Sequence, residues 1–115
     1  MKKFVNDILK EYVNGLVKII GENLIQVILY GSYAKKKQNE DDEISDIDIF
    51  ILVNLDEEKI KKIEKKVIEY SYDLDLKYNV LLSPIIENID NYNSRVKYMK
   101  FYQNIKKEGV LLNVW

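Results

Sequence analysis

The chain has 115 residues, 47% hydrophobic and 32% charged, with Lys+Arg 18 against Asp+Glu 19. That length fits one domain spanning residues 1–115, and the apolar share is enough for one core. A net charge of -1 argues against a general nucleic-acid binder, and the lack of cysteine and histidine excludes disulfides, thiolate metal sites and imidazole catalysis.

Any chemistry must therefore rest on carboxylates, hydroxyls, lysines and bound metal. A cysteine-free chain suits a cytoplasmic protein. No signal peptide is visible, and no run approaches the roughly 18 apolar residues that span a bilayer, so no membrane association is expected.

Residues 3–20 predict an amphipathic helix, since Phe4/Val5, Ile8/Leu9, Tyr12/Val13 and Leu16/Val17 recur four apart, with Gly21 as the stop. "LIQVILY", residues 24–30, reads as a buried strand broken by Gly31 and Ser32. "YAKKK" predicts a short helix, and "KQNEDDE", residues 37–43, a charged loop. Residues 44–53 predict a second strand. A helix capped by Asn54 or Asp56 follows to about residue 70, with Ile60, Ile63, Val67 and Ile68 on its apolar face. A third strand is expected over 74–82, with Leu74, Leu76, Tyr78 and Val80 on one face and Asp73, Asp75, Lys77 and Asn79 on the other. Pro84 points to an edge or a strand end. A last helix is expected over 91–108, closed by Gly109 and followed by an apolar tail. The order predicts an α/β (α+β) fold, a small sheet covered by helices.

Two stretches carry chemistry. In "LYGSYAKK", Gly31-Ser32 joins a strand end to a helix start, where free backbone N–H groups form an anion site. The same dipeptide also serves as a plain tight turn with a capping serine. In "ISDIDIFILV", Asp46 and Asp48 point to one strand face, roughly 6.5–7 Å apart, while Ile47, Ile49 and Ile51 take the other. Two such carboxylates repel each other unless a cation sits between them or lysines answer them, and Mg²⁺ is the natural candidate. A phosphate cradle followed by a metal pair is equipment for phosphoryl or nucleotidyl transfer, with up to two metal ions.

"GSYAKK…SDIDIFILV" resembles the minimal nucleotidyltransferases, of the antitoxin type, in the DNA polymerase-beta superfamily. "FYQNIKKEGVLL", residues 101–112, resembles the segment that closes many small members. The resemblance runs over nearly the whole chain. It implies a mixed sheet flanked by helices, the nucleotidyltransferase fold. It implies Mg²⁺ and ATP, with Gly31 and Ser32 holding the triphosphate and Asp46 and Asp48 holding the metal; Lys35 is a further candidate for the triphosphate from its place after the turn. It also implies AMP transfer to a hydroxyl, such as a tyrosine of a HEPN-type ribonuclease toxin that the chain would neutralise.

Three departures stand out. Lys36 occupies a place where the family commonly has glycine, and the 13 residues between Ser32 and Asp46 are about three more than the family's usual spacer. The third carboxylate, which the family takes from the next strand, aligns near Asn79. Asp75, on the same expected face but roughly 13 Å along the strand, is the substitute candidate. Without a third acid, the alternative is a nucleotide- or partner-binding module of the same fold that transfers slowly or not at all. A small-molecule transferase would need an acceptor domain for which the chain has little room.

Lys35, Lys36 and Lys37 could meet a triphosphate or simply answer Asp41, Asp42 and Glu43. Tyr30 and Tyr33 flank the turn, where one could stack on an adenine or pack in the core. Tyr92, Tyr98, Phe101, Tyr102 and Trp115 form either C-terminal core or an exposed patch. Oligomeric state is left open.

Overall fold

A computed structural model describes residues 3–31 and 46–112. Helix α1, Lys3–Ile20, buries Val5, Leu9, Tyr12, Val13, Leu16 and Ile20 along one stripe, as the spacing predicts. Phe4 and Val17, at the margins of that stripe, are exposed. A single 3-10 turn, Gly21–Asn23, opens on Gly21 at φ +71, a conformation that favours glycine. Strand β1, Leu24–Tyr30, and strand β2, Asp46–Val53, then pair antiparallel.

Helix α2 begins at Glu57, where the Asp56 carboxylate accepts from Lys59 N at 2.9 Å. It runs 22 residues, to Tyr78, well past the expected end near residue 70. The strand expected over 74–82 is thus corrected. Residues 74–78 are the last turn of α2, and strand β3 is Leu81–Asn88. The period-two reading of "DLDLKY" competes with a helical one. Val67, Ser71 and Leu74 are buried at helical spacing, whereas Leu76 is 86% exposed. Tertiary contacts decide the outcome. The Tyr12 hydroxyl meets Ser71 Oγ at 2.7 Å, and the Tyr78 hydroxyl donates to Glu11 at 2.6 Å. Tyr70 stacks on Tyr12 and donates to the Glu11 carbonyl at 2.7 Å. Asn79 ends α2 in the left-handed region, φ 53, which asparagine tolerates better than most residues.

β3 lies parallel to β2, joined by the α2 crossover. Helix α3, Ile89–Arg95, is capped by the Asn88 side chain, and helix α4 is Lys100–Glu108. The single helix expected over 91–108 is therefore two, broken around Val96–Met99. Gly109 closes α4 as expected, and Val110–Leu111 form strand β4 against β1. The sheet order is β3-β2-β1-β4, which puts Pro84 on an edge strand. The expected "YAKKK" helix, the loop at 37–43, and Ser32, Tyr33, Lys35, Lys36, Lys37 and Trp115 lie outside the described residues. No helix among the described residues is long and apolar enough to cross a membrane.

Both sheet faces are covered. Ile47, Ile49, Ile51 and Val53 pack with α1 and α2 on one face. Phe50 and Leu52 pack with Tyr92, Tyr102 and Ile105 from α3 and α4 on the other. Between α1 and α2, Tyr12 and Ser71 form a buried polar pair, and Ser71 Oγ donates onward to the Val67 carbonyl at 2.8 Å. Ser71→Ala strands the Tyr12 hydroxyl and should cost ~1–3 kcal/mol, the penalty of an unsatisfied buried polar group. The double variant Tyr12→Phe/Ser71→Ala should recover part of that loss. Thermal melts of the four proteins in the cycle check this, and strictly additive losses would refute the coupling.

Candidate functional site

The two-residue period of β2 carries Asp46 and Asp48 to the face shared with Phe50 and Leu52. Burial of Ile47 and Ile49 on the opposite face holds them there. Asp46 is exposed, while Asp48 sits half-buried where the aromatic core begins. Burial first, and the neighbouring Asp46 charge second, raise the Asp48 carboxyl above its ordinary range. A carboxylate held in this way gains from a cation.

Across the antiparallel ladder Asp48 faces Tyr30, and Gly31 follows immediately. Burial and the Asp48 charge push the Tyr30 phenol up to about 12. Gly31 has φ +78, and a Cβ there would run into the Asp48 carboxylate. The glycine therefore meets two demands: a left-handed turn, and room beside a carboxylate oxygen. Gly31 and Asp48, 17 positions apart in the sequence, meet at this point. Hard oxygen donors of this kind fit a divalent cation such as Mg²⁺.

The parallel register of β3 sets Leu81 beside Asp46 and Ser83 beside Asp48. Neither is an acid. Glu87 shares their face but pairs with Leu52, roughly 13 Å beyond Ser83. It accepts from the Tyr102 hydroxyl at 2.8 Å and lies 3.6 Å from Arg95. Asp75 stands on α2, the helix packed on the opposite sheet face, and accepts from Leu82 N at 2.8 Å. Burial raises its carboxyl, and that hydrogen bond offsets part of the rise. Its placement makes it a latch between the end of α2 and the start of β3. Asn79 is the left-handed cap of α2. Among the described residues no three His, Cys, Asp or Glu side chains group to hold a metal ion.

A cleft of about 210 Å³ opens beside Gly31 and Tyr30, walled by Phe101, Asn104, Ile105 and Glu108 of α4. Tyr30 and Phe101 are drawn from aromatic residues conspicuous in the sequence. Asn104 and Glu108 carry no local signal, because only the docking of α4 on β1 brings them here.

A family model for the nucleotidyltransferase domain matches residues 7–111. Two proteins of Methanocaldococcus jannaschii, each bearing the name "Putative protein adenylyltransferase", are 36% and 33% identical over 104 residues. Those matches cover 90% of this chain, and 94% and 93% of the relatives. Among solved structures, a chain of a toxin–antitoxin crystal structure with AMP-PNP aligns at a TM-score of 0.52 and 17% identity, over 92% of this chain and 73% of that one. A chain of a mutant MntA-HpeT toxin–antitoxin structure aligns at 0.50 and 15%, with the same coverage. At those identities the likeness is one of fold.

Gly31→Ala should injure the site twice, through strain at positive φ and through collision with Asp48. The expected result is a folded protein with a lower melting temperature and, if the site binds nucleotide with a divalent cation, weaker binding of that pair. Unchanged stability and unchanged binding would show that the turn tolerates a side chain.

Proposed function

Because the chain belongs to the nucleotidyltransferase domain family, we propose that it moves AMP from ATP to a hydroxyl of a partner protein. The observation that carries this reading is the contact between Gly31 and Asp48, which joins the turn expected to cradle phosphate to the carboxylate pair expected to hold metal. The relatives' names support adenylyl transfer to protein. The toxin–antitoxin setting of both fold neighbours supports a toxin partner, here proposed to be of the HEPN type.

In the proposed reaction the acceptor oxygen bonds to the α-phosphorus of ATP, the bond to the β-phosphate breaks, and pyrophosphate leaves. The acceptor proton passes to solvent. Asp46 and Asp48 would hold Mg²⁺, with Gly31, Ser32 and Lys35 along the triphosphate. Bound there, Mg²⁺ would neutralise phosphate charge and polarise the reacting phosphorus. Asp48 is suited to this role because burial and the Asp46 charge disfavour its ionised form, a cost that a bound cation would offset. Asp75 is proposed to be structural, since it serves β3 from the other side of the sheet.

One observation favours a second reading. The β3 residues beside the pair are Leu81 and Ser83, so the described part of that strand offers no acid there to take the acceptor proton. The same site would then hold nucleotide while transferring slowly, and partner binding would be the main activity.

Three outcomes are expected. ATP with Mg²⁺ at 100 times its dissociation constant adds roughly 2.7 kcal/mol and should raise the melting temperature by about ten degrees. Asp46→Asn/Asp48→Asn should abolish that rise, yet melt no lower than wild type without ligand, because it removes a like-charge pair. A ligand-induced rise that survives in the double variant would remove the pair from the site. Ser83→Asp, which supplies an acid beside Asp48, should increase transfer of radiolabel from α-labelled ATP to a co-expressed partner. A rate left unchanged or lowered by Ser83→Asp would show that position 83 is not the vacant acid position. Label transfer by wild type that is lost in the double variant supports the enzyme. Neutralisation of the partner that persists in the double variant supports the binding module.

A further inference from the structure

The cleft beside Gly31 belongs to no part of the chemistry above. Its α4 wall is built from Phe101, Asn104, Ile105 and Glu108, spaced three, four and seven apart, so all four fall on one helix face. Its other wall is the end of β1, Tyr30 and Gly31, the two residues that adjoin Asp48. The cleft and the carboxylate pair thus share Tyr30 and Gly31 as their boundary.

Its volume, about 210 Å³, falls below the roughly 300 Å³ at which pockets begin to enclose a whole drug-sized ligand. It suits one flat ring system with the rest of the ligand outside. Phe101, which lines this cleft, is 43% exposed although three aromatic rings adjoin it. Tyr30 meets it edge-on at 5.7 Å, and Tyr102 and Phe50 support it at 5.7 and 6.4 Å. A partly exposed aromatic platform fixed by its neighbours is what base stacking needs. Asn104 adds a side-chain amide, which presents a donor and an acceptor together. That pair complements the adenine edge, which offers an amino donor beside a ring-nitrogen acceptor, whereas the corresponding guanine edge offers two acceptors.

We propose that the cleft between Tyr30 and α4 is the base subsite of the nucleotide, with Phe101 as the stacking platform and Asn104 as the group that selects adenine over guanine. The proposal rests on the reading of Gly31, Asp46 and Asp48 as the triphosphate and metal end. It assigns base choice to a helix that contributes nothing to the carboxylate pair.

The test is equilibrium binding of Mg-ATP and Mg-GTP by calorimetry, using the full chain. The proteins are wild type, Asn104→Ala, Asn104→Lys, Phe101→Leu and Asp46→Asn/Asp48→Asn. Asn104 is exposed, and alanine and lysine are both good helix formers, so its variants should fold. Phe101→Leu keeps apolar bulk while removing the ring face, and its melting temperature is read alongside. Wild type should prefer ATP. Asn104→Ala should lose most of that preference, and Asn104→Lys should shift it toward GTP, whose O6 and N7 accept from a cation. Phe101→Leu should weaken both nucleotides by roughly tenfold, as loss of one base–aromatic stack predicts. If binding is lost in the aspartate variant while the Asn104 and Phe101 variants keep the wild-type ATP-to-GTP ratio and affinity, the base subsite is overturned and the nucleotide reading stands. If wild type binds neither nucleotide, both are overturned.

Discussion

Everything at the site depends on the register between β1 and β2. Val27 opposite Ile51, Leu29 opposite Ile49 and Tyr30 opposite Asp48 define it. Because β2 is buried on both faces, slippage has no soft direction. A shift by one residue would drive Asp46 and Asp48 into the Ile47–Ile49–Ile51 side, against α1 and α2, and expose isoleucines in their place. Burying unpaired carboxylates there would cost several kcal/mol each. The apolar alternation that looks like ordinary core formation is thus also the device that aims the acids. The irregularity in the ladder lies at Leu24/Gln26, the opposite end of the pair from Tyr30 and Asp48.

The two cores have different duties. The α1–α2 side is aliphatic and is tied by polar links, with Tyr12 to Ser71 and Tyr70 and Tyr78 to Glu11. Hydrogen bonds from Tyr78 and Lys77 hold the Glu11 carboxyl below its usual range. The α3–α4 side is aromatic, built around Phe50 with Tyr92, Phe101 and Tyr102 at ring distances of 5.7 to 6.4 Å. It is fastened to β3 through Glu87, which takes the Tyr102 hydroxyl and faces Arg95. The first core sets where the strands lie. The second sets how α4 approaches the end of β1, and so shapes the space next to the acids.

The sequence was informative where one local rule acted without a rival. α1, β1 and β2 follow from periodicity, and the Asp46/Asp48 pair follows from the two-residue period and the scarcity of acids in strands. Gly31 was visible as a break, although its need for a bare Cα beside Asp48 appears only when the strands pair. The stretch Leu74–Leu82 was misread because strand and helix periodicities both fit it, and long-range contacts to Tyr12 and Glu11 decide between them. That misreading carried Asp75 and Asn79 to a strand face when they belong to a helix end. The break around Val96–Met99 carries no glycine or proline, so nothing local announced it. Asn104 and Glu108 were invisible for a related reason. Their significance comes from what α4 lies against, and no short window holds that.

The two edges of the sheet are poor templates for another chain. β3 carries Pro84, which has no N–H to offer, and β4 is only two residues long. Growth of the sheet by an incoming strand is therefore disfavoured on either side, even though Leu81 and Ile85 expose apolar surface on β3. A protein that assembles with this one would meet helices and side-chain surfaces. The open ends of the ladder, the usual starting point for runaway association, are blunted by composition and length.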